Sequence, residues 1–249
     1  MELARAVKDY VLAHHQDVLA VVIEGSTAKG EDREHSDLEM NVITRSASDT
    51  KYYQFIFEGI VVEVAFGAVE DSLRNARTVT KHWPIAADGW TGSVPLFDPD
   101  GILPRLAALT ANPDPVQADE AMRGVLVSMY EDVCKIRNLM VSGEVRLARY
   151  VSLFVGEQAA RFLGLLNRQH FNGTRNLLTK PRDFERLPPH FWEDYPALLA
   201  VEGTADDLAR RAERMYAECD GLWVAAGHAR PPAKAFDEAM AQGRVAGPA

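Results

Sequence analysis

The chain has 249 residues, enough for one large domain or two modest ones. Acidic residues outnumber basic ones 36 to 27, a net charge of −9 that argues against a nucleic-acid partner and suits cationic small molecules. No apolar run reaches the roughly 20 residues of a membrane span, and two distant cysteines, Cys134 and Cys219, read as reduced, buried thiols of a cytoplasmic protein.

In chain order, residues 2–15 have apolar positions at helical spacing and predict a surface helix rather than a signal peptide. "LAVVIEG" predicts a buried strand and "LEMNVIT" a second one. "YYQFIFEGIVVEVAFG" predicts a hairpin turning at Glu58-Gly59. A helix over "SLRNARTVTKHW" follows, then a short strand at 93–97, a turn at 98–101 and a short helix over "ILPRLAALTA". From about Ala118 the strand signals vanish. Three long helices are expected: one ended by Gly143, one over "VRLARYVSLFVGEQAARFLGLLNRQH" and one capped by Thr204. Shorter pieces separate the last two. The pattern is an α/β domain followed by a helical bundle, with residues 230–249 as a loosely held tail.

The segment "EGSTAKGEDREHSDLEMNVI" asks for a chemical explanation. Residues two apart in a strand share a face, so Asp37 and Glu39 project side by side. Bare carboxylates in a core are costly, so that face is either wet or occupied by a cation. Glu63, in "IVVEVAF", stands opposite the apolar set Ile60, Val62, Val64 and Phe66. If its strand lies beside that of Asp37, three carboxylates converge, a donor set suited to Mg²⁺. Spacing alone favours an ordinary exposed sheet face. Upstream, Gly25-Ser26 followed by Lys29 offers backbone N–H groups, a hydroxyl and an ammonium to a phosphate, although it lacks the ending of a Walker loop. Turn, spacer and acids together describe a phosphate cradle facing a metal clamp.

Gly-Ser, a spacer and Ser-Asp-x-Glu resemble the nucleotidyltransferase fold of DNA polymerase β-like enzymes and antibiotic adenylyltransferases. "VVEVAF", "HWPIAADGWTGSVPLFDPDG" and "MYEDVCKIRNLMVSG" narrow the resemblance to the kanamycin nucleotidyltransferase-like aminoglycoside 4'-O-adenylyltransferases, over roughly residues 18–228. The resemblance implies an α+β, nucleotidyltransferase-fold mixed sheet with flanking helices at 1–116, an all-α helical-bundle domain at 117–229 and the tail beyond. It implies Mg²⁺ held by Asp37, Glu39 and Glu63. ATP, or another nucleoside triphosphate, is the implied co-substrate, with nucleotide contacts from Gly25, Ser26, Lys29, Ser36, Lys135 and Thr174. Asp37 and Glu39 would be catalytic through the metal, Glu131 would be the base, and Glu63 and Glu131 would meet the aminoglycoside. It also implies a homodimer with its active site at or near the subunit interface. Lys29 replaces the family's Arg, keeping the charge and losing the bidentate fork.

By spacing alone Glu131 and Lys135 would be a weak surface ion pair on one helix face; the resemblance reverses that reading. Asp98 and Asp100 read as turn residues, and Trp83, Trp90, Trp192 and Trp223 as core residues. Other readings are an adenylyltransferase for another small hydroxyl compound, such as a lincosamide, and a non-catalytic nucleotide-binding regulator. The joint presence of Asp37, Glu39, Glu63 and Glu131 speaks against the latter.

Overall fold

A computed structural model describes residues 1–46 and 51–229, so the expected tail lies outside the described residues. The chain divides into two compact units. Among the described residues, the first comprises 1–46, 51–79, 85–117 and 170–175; the second comprises 80–84, 118–169 and 176–229. Neither unit is continuous in sequence.

The first unit opens with α1 (Glu2–His14), β1 (Val18–Ile23) and a four-residue helical turn, α2 (Gly25–Ala28). β2 (Leu38–Thr44), β3 (Lys51–Phe57) and β4 (Ile60–Ala68) follow, and β5 (Val94–Phe97) completes a sheet of order β3-β4-β2-β1-β5. β2 and β4 run parallel, whereas β3–β4, β1–β2 and β1–β5 are antiparallel, making the expected mixed sheet. The hairpin turns where expected: Glu58 and Gly59 both take positive φ, 49° and 83°, which matches the right-handed twist of the paired strands.

Alternation along the strands sorts the two sheet faces. Leu38, Met40, Val42, Val62, Val64 and Phe66 pack with Ala4 and Val11 of α1. On the other side Ala20 and Ile43 pack with Ala76 of α3 (Val69–Arg77) and Leu106 of α6 (Ile102–Ala111). The α3 helix begins earlier than its expected Ser72 start and ends at Arg77, because the β-branched run Thr78-Val79-Thr80 favours extended backbone. The short α4 (Trp83–Ala86) and α5 (Asp88–Thr91) come next. The Asp98 carboxylate accepts the N–H groups of Ile102 and Leu103 at 2.8 and 2.9 Å, capping α6, so it is a turn residue as expected.

The helical pattern of the second unit is carried by α7 (Pro115–Val141), which belongs to it from Ala118 onward, α8 (Val145–Leu166), α9 (Phe191–Ala200) and α10 (Ala205–Ala225). Thr204 caps α10 as expected, its hydroxyl oxygen accepting the Asp207 N–H at 3.2 Å. Asp194 is fully buried on α9 and is held by Arg211 at 3.0 Å and Arg214 at 2.6 Å, so the charge is paired rather than bare. Of the tryptophans, Trp83 and Trp223 are buried and Trp90 packs at the edge of the α6 cluster. Trp192 departs from its core expectation: it is 46% exposed, with the Arg182 guanidinium 6.0 Å from its ring centre. Cys219 is buried and Cys134 is only partly so; both are free thiols. No described helix is long and apolar enough to cross a membrane.

Candidate active site

The carboxylate face begins where β1 leaves the core. The Glu24 N–H donates to the Glu39 carbonyl at 2.9 Å, locking the strand end to β2. Gly25 then takes φ +64°, a left-handed conformation that glycine adopts without strain. The space where another residue would carry Cβ is filled by the Glu39 carboxylate. The Gly25-Ser26 turn expected to cradle a phosphate is therefore the start of a short helical turn wrapped over the Glu39 carboxylate. The Thr27 hydroxyl donates to the Asp37 carbonyl at 3.3 Å, and the Glu31 N–H to the Ser26 carbonyl at 2.9 Å.

Asp37 immediately precedes β2, two residues before Glu39. Glu39 and Glu63 are direct partners across the parallel β2–β4 pair. Burial raises the Glu39 pKa, and the charges of Asp37 and Glu63 raise it further, while Lys29 draws it down. The structure thus brings Asp37, Glu39 and Glu63 into one electrostatic group. Glu63 accepts a hydrogen bond from Gln54 Nε2 at 2.6 Å, and the Tyr52 hydroxyl is held above its ordinary pKa first by its hydrogen bond to Glu63. Among the described residues no three His, Cys, Asp or Glu side chains already form a metal cluster. The donors nonetheless fit a hard divalent cation in kind: all are carboxylate oxygens, and the repulsion felt by Glu39 is what such a cation relieves.

The remaining expected nucleotide contacts are distributed. Lys29 forms an ion pair with Asp88 and donates to the Asn172 carbonyl at 3.0 Å. The Ser36 hydroxyl oxygen accepts the Arg33 N–H at 2.9 Å, within its own loop. Thr174 opens a short 3-10 turn (Thr174–Asn176), in a segment that returns to the first unit. Glu131 and Lys135 lie on α7 in the second unit. They pair at 2.8 Å with side chains 66% and 51% exposed, and Lys135 also reaches Asp132 at 3.4 Å. Its hydrogen bond to Lys135 lowers the Glu131 pKa.

Two acids of this face escape sequence reasoning. Glu24 is desolvated at the end of β1, and burial pushes its pKa up to about 7, against a hydrogen bond from Asn41 that lowers it; Glu39 and Asp88 add repulsion. A carboxylate ending the buried run "LAVVI" was the available signal. Asp88 gave none, since it sits in a Gly-rich stretch whose fold brings it back to Lys29.

Sheet order, helical turn and carboxylate row together define a protein of nucleotidyltransferase fold. A solved nucleotidyltransferase-like protein from Exiguobacterium sibiricum 255-15 shares that fold, with TM-score 0.55, 16% identity and coverage of 96% of this chain and 80% of that one. Residues 100–226 match the family described as KNTase C-terminal domain, and the chain belongs to that family. It is similar to proteins named aminoglycoside nucleotidyltransferase (4') from Bacillus sp and Staphylococcus aureus. Each is 22% identical over 225 residues, covering 90% of this chain and 87% of the relative. The resemblance drawn from the sequence therefore holds, and the chain is a nucleotidyltransferase.

Proposed function

We propose that this nucleotidyltransferase transfers AMP from MgATP to the 4'-hydroxyl of an aminoglycoside, releasing pyrophosphate and conferring antibiotic resistance in the cytoplasm. The observation that carries the reading is the alignment of Glu39 with Glu63 under the Gly25–Ala28 turn, with Asp37 two residues away. The names of the relatives supply the acceptor, and the net charge of −9 suits a polycationic one.

Bound with the nucleotide and held by Asp37, Glu39 and Glu63, Mg²⁺ would supply positive charge to the phosphate oxygens. Gly25 and Ser26 cradle the triphosphate with backbone N–H groups and a hydroxyl, and Lys29 adds an ammonium. Ser36 and Thr174 belong to the same proposed nucleotide contacts. The acceptor hydroxyl gives its proton to Glu131 as its oxygen bonds to the α-phosphorus. The bond from that phosphorus to the β-phosphate bridge breaks, and pyrophosphate leaves. Glu131 is a poor base while Lys135 holds it. Transfer of Lys135 to the nucleotide phosphates releases it, coupling nucleotide binding to activation of the base. The chain acts as a homodimer with its active site at or near the subunit interface.

The test is transfer of label from radiolabelled ATP with Mg²⁺ across a panel of aminoglycosides and lincosamides. An aminoglycoside product that carries the label on its 4' oxygen supports the reading. Label on a lincosamide alone, or on nothing in the panel, would refute it.

A further inference from the structure

Lys29 caps the end of the Gly25–Ala28 turn, and its side chain does not trail into solvent. Its ammonium forms an ion pair with Asp88, at the start of α5, and donates to the Asn172 carbonyl at 3.0 Å. The Lys29 and Asp88 side chains are only 21% and 13% exposed. The surroundings are closely fitted. A Cβ on Gly92 would lie 2.7 Å from Asp88 Oδ1 and 3.1 Å from Lys29 Cε, and one on Gly173 would lie 3.4 Å from Asp88 Oδ2 and 3.7 Å from the ammonium. Three segments far apart in sequence thus meet at one nitrogen.

Within the first unit this junction borders the carboxylate row. The charges of Lys29 and Asp88 are both felt at Glu39, and that of Asp88 at Glu24. An ammonium has three N–H donors. Two are directed at Asp88 and the Asn172 carbonyl, and the third remains for an incoming oxygen. A lysine on a flexible stem loses rotamer freedom when it binds a phosphate; one already held loses less.

We propose that Asp88 is a positioning residue: with the Asn172 carbonyl it fixes Lys29 so that one N–H serves a triphosphate oxygen, and the same clasp pins residues 170–175 to the Gly25–Ala28 turn. The role in nucleotide binding rests on the nucleotidyl-transfer reading; the clasp itself does not. Asp88 touches no substrate and acts through Lys29. Asp88→Asn removes the charge and keeps the shape, whereas Asp88→Glu restores the charge.

The experiment has two arms on the full chain. In the first, amide hydrogen exchange at residues 26–30 and 170–175 is compared between wild type and Asp88→Asn without nucleotide. Exchange about tenfold faster in the variant is expected, the scale of losing one charge-assisted hydrogen bond. In the second, steady-state kinetics give KM for MgATP and for the acceptor. Asp88→Asn is expected to raise KM for MgATP about tenfold with kcat and acceptor KM little changed, and Asp88→Glu to recover part of the loss. In a Lys29→Met background the same substitution should add nothing. Unchanged exchange would overturn the clasp. A lowered KM would make Asp88 a competitor of the phosphate, and an added loss in Lys29→Met would show that it acts elsewhere; either overturns the positioning role. If wild type transfers no nucleotide, the transfer reading fails separately and the exchange arm still decides the clasp.

Discussion

Glu24→Gln tests the electrostatics of the carboxylate face directly. Glu24 directly follows β1, receives a hydrogen bond from Asn41, and is held by burial at a pKa of about 7 against an ordinary 4.5. Because the folded value is raised, the group's contribution to stability is fully present below its unfolded value and is lost as pH rises through about 7. The gap of about 2.5 in pH, at about 1.36 kcal/mol each, amounts to about 3 kcal/mol. Glutamine has the same shape, still accepts from Asn41 through its amide oxygen, and never ionises. The two proteins should therefore match near pH 4, with Gln the more stable by about 3 kcal/mol near pH 8. Urea unfolding of both across that range, at fixed ionic strength with EDTA, reads the difference and cancels the other titrating groups. A difference that stays constant with pH would refute the reasoning. So would a wild type that gains on the variant as pH rises, since a carboxylate whose pKa is raised by burial can only lose stability as it ionises.

Asp37→Asn and Glu39→Gln should each nearly abolish turnover while leaving the circular dichroism spectrum unchanged; near-wild-type activity with Mg²⁺ would remove the metal clamp. Glu131→Gln should lower kcat by about 10²–10⁴-fold with little effect on acceptor binding, and a loss confined to KM would make Glu131 a binding residue. Gly25→Ala meets both a left-handed backbone and the Glu39 carboxylate. It should cost at least about 1 kcal/mol in unfolding experiments and reduce turnover strongly, whereas a neutral result would show that the turn relaxes at no cost.

Periodicity sufficed for much of this protein. The two-residue alternation of Leu38, Met40 and Val42 against Glu39 and Asn41 put the acids on one side of β2. The Glu58-Gly59 dipeptide marked the hairpin turn, and Thr204 marked the start of α10. These are local properties, set by backbone geometry and by residues close in sequence, so they can be read without the fold. The same reasoning misjudged Trp192, because burial depends on what packs against a residue and not on its type.

Pairing was settled only in three dimensions. That β4 lies parallel to β2, placing Glu63 beside Glu39, was a condition in the sequence reading and is a register in the structure. The position of Glu24 one residue before Gly25 was visible, but its raised pKa depends on its burial and on Asn41, Glu39 and Asp88 arriving from other strands and turns. Asp88 lies 59 residues from Lys29 and Asn172 lies 143 away, and no periodic signal spans such distances. The sequence by itself determined the elements and the chemical types of the acids, because those follow from local sterics and side-chain chemistry. Which acids repel one another, which lysine is held and what fills the space above Gly25 were decided by the tertiary structure, because charge and excluded volume act through space.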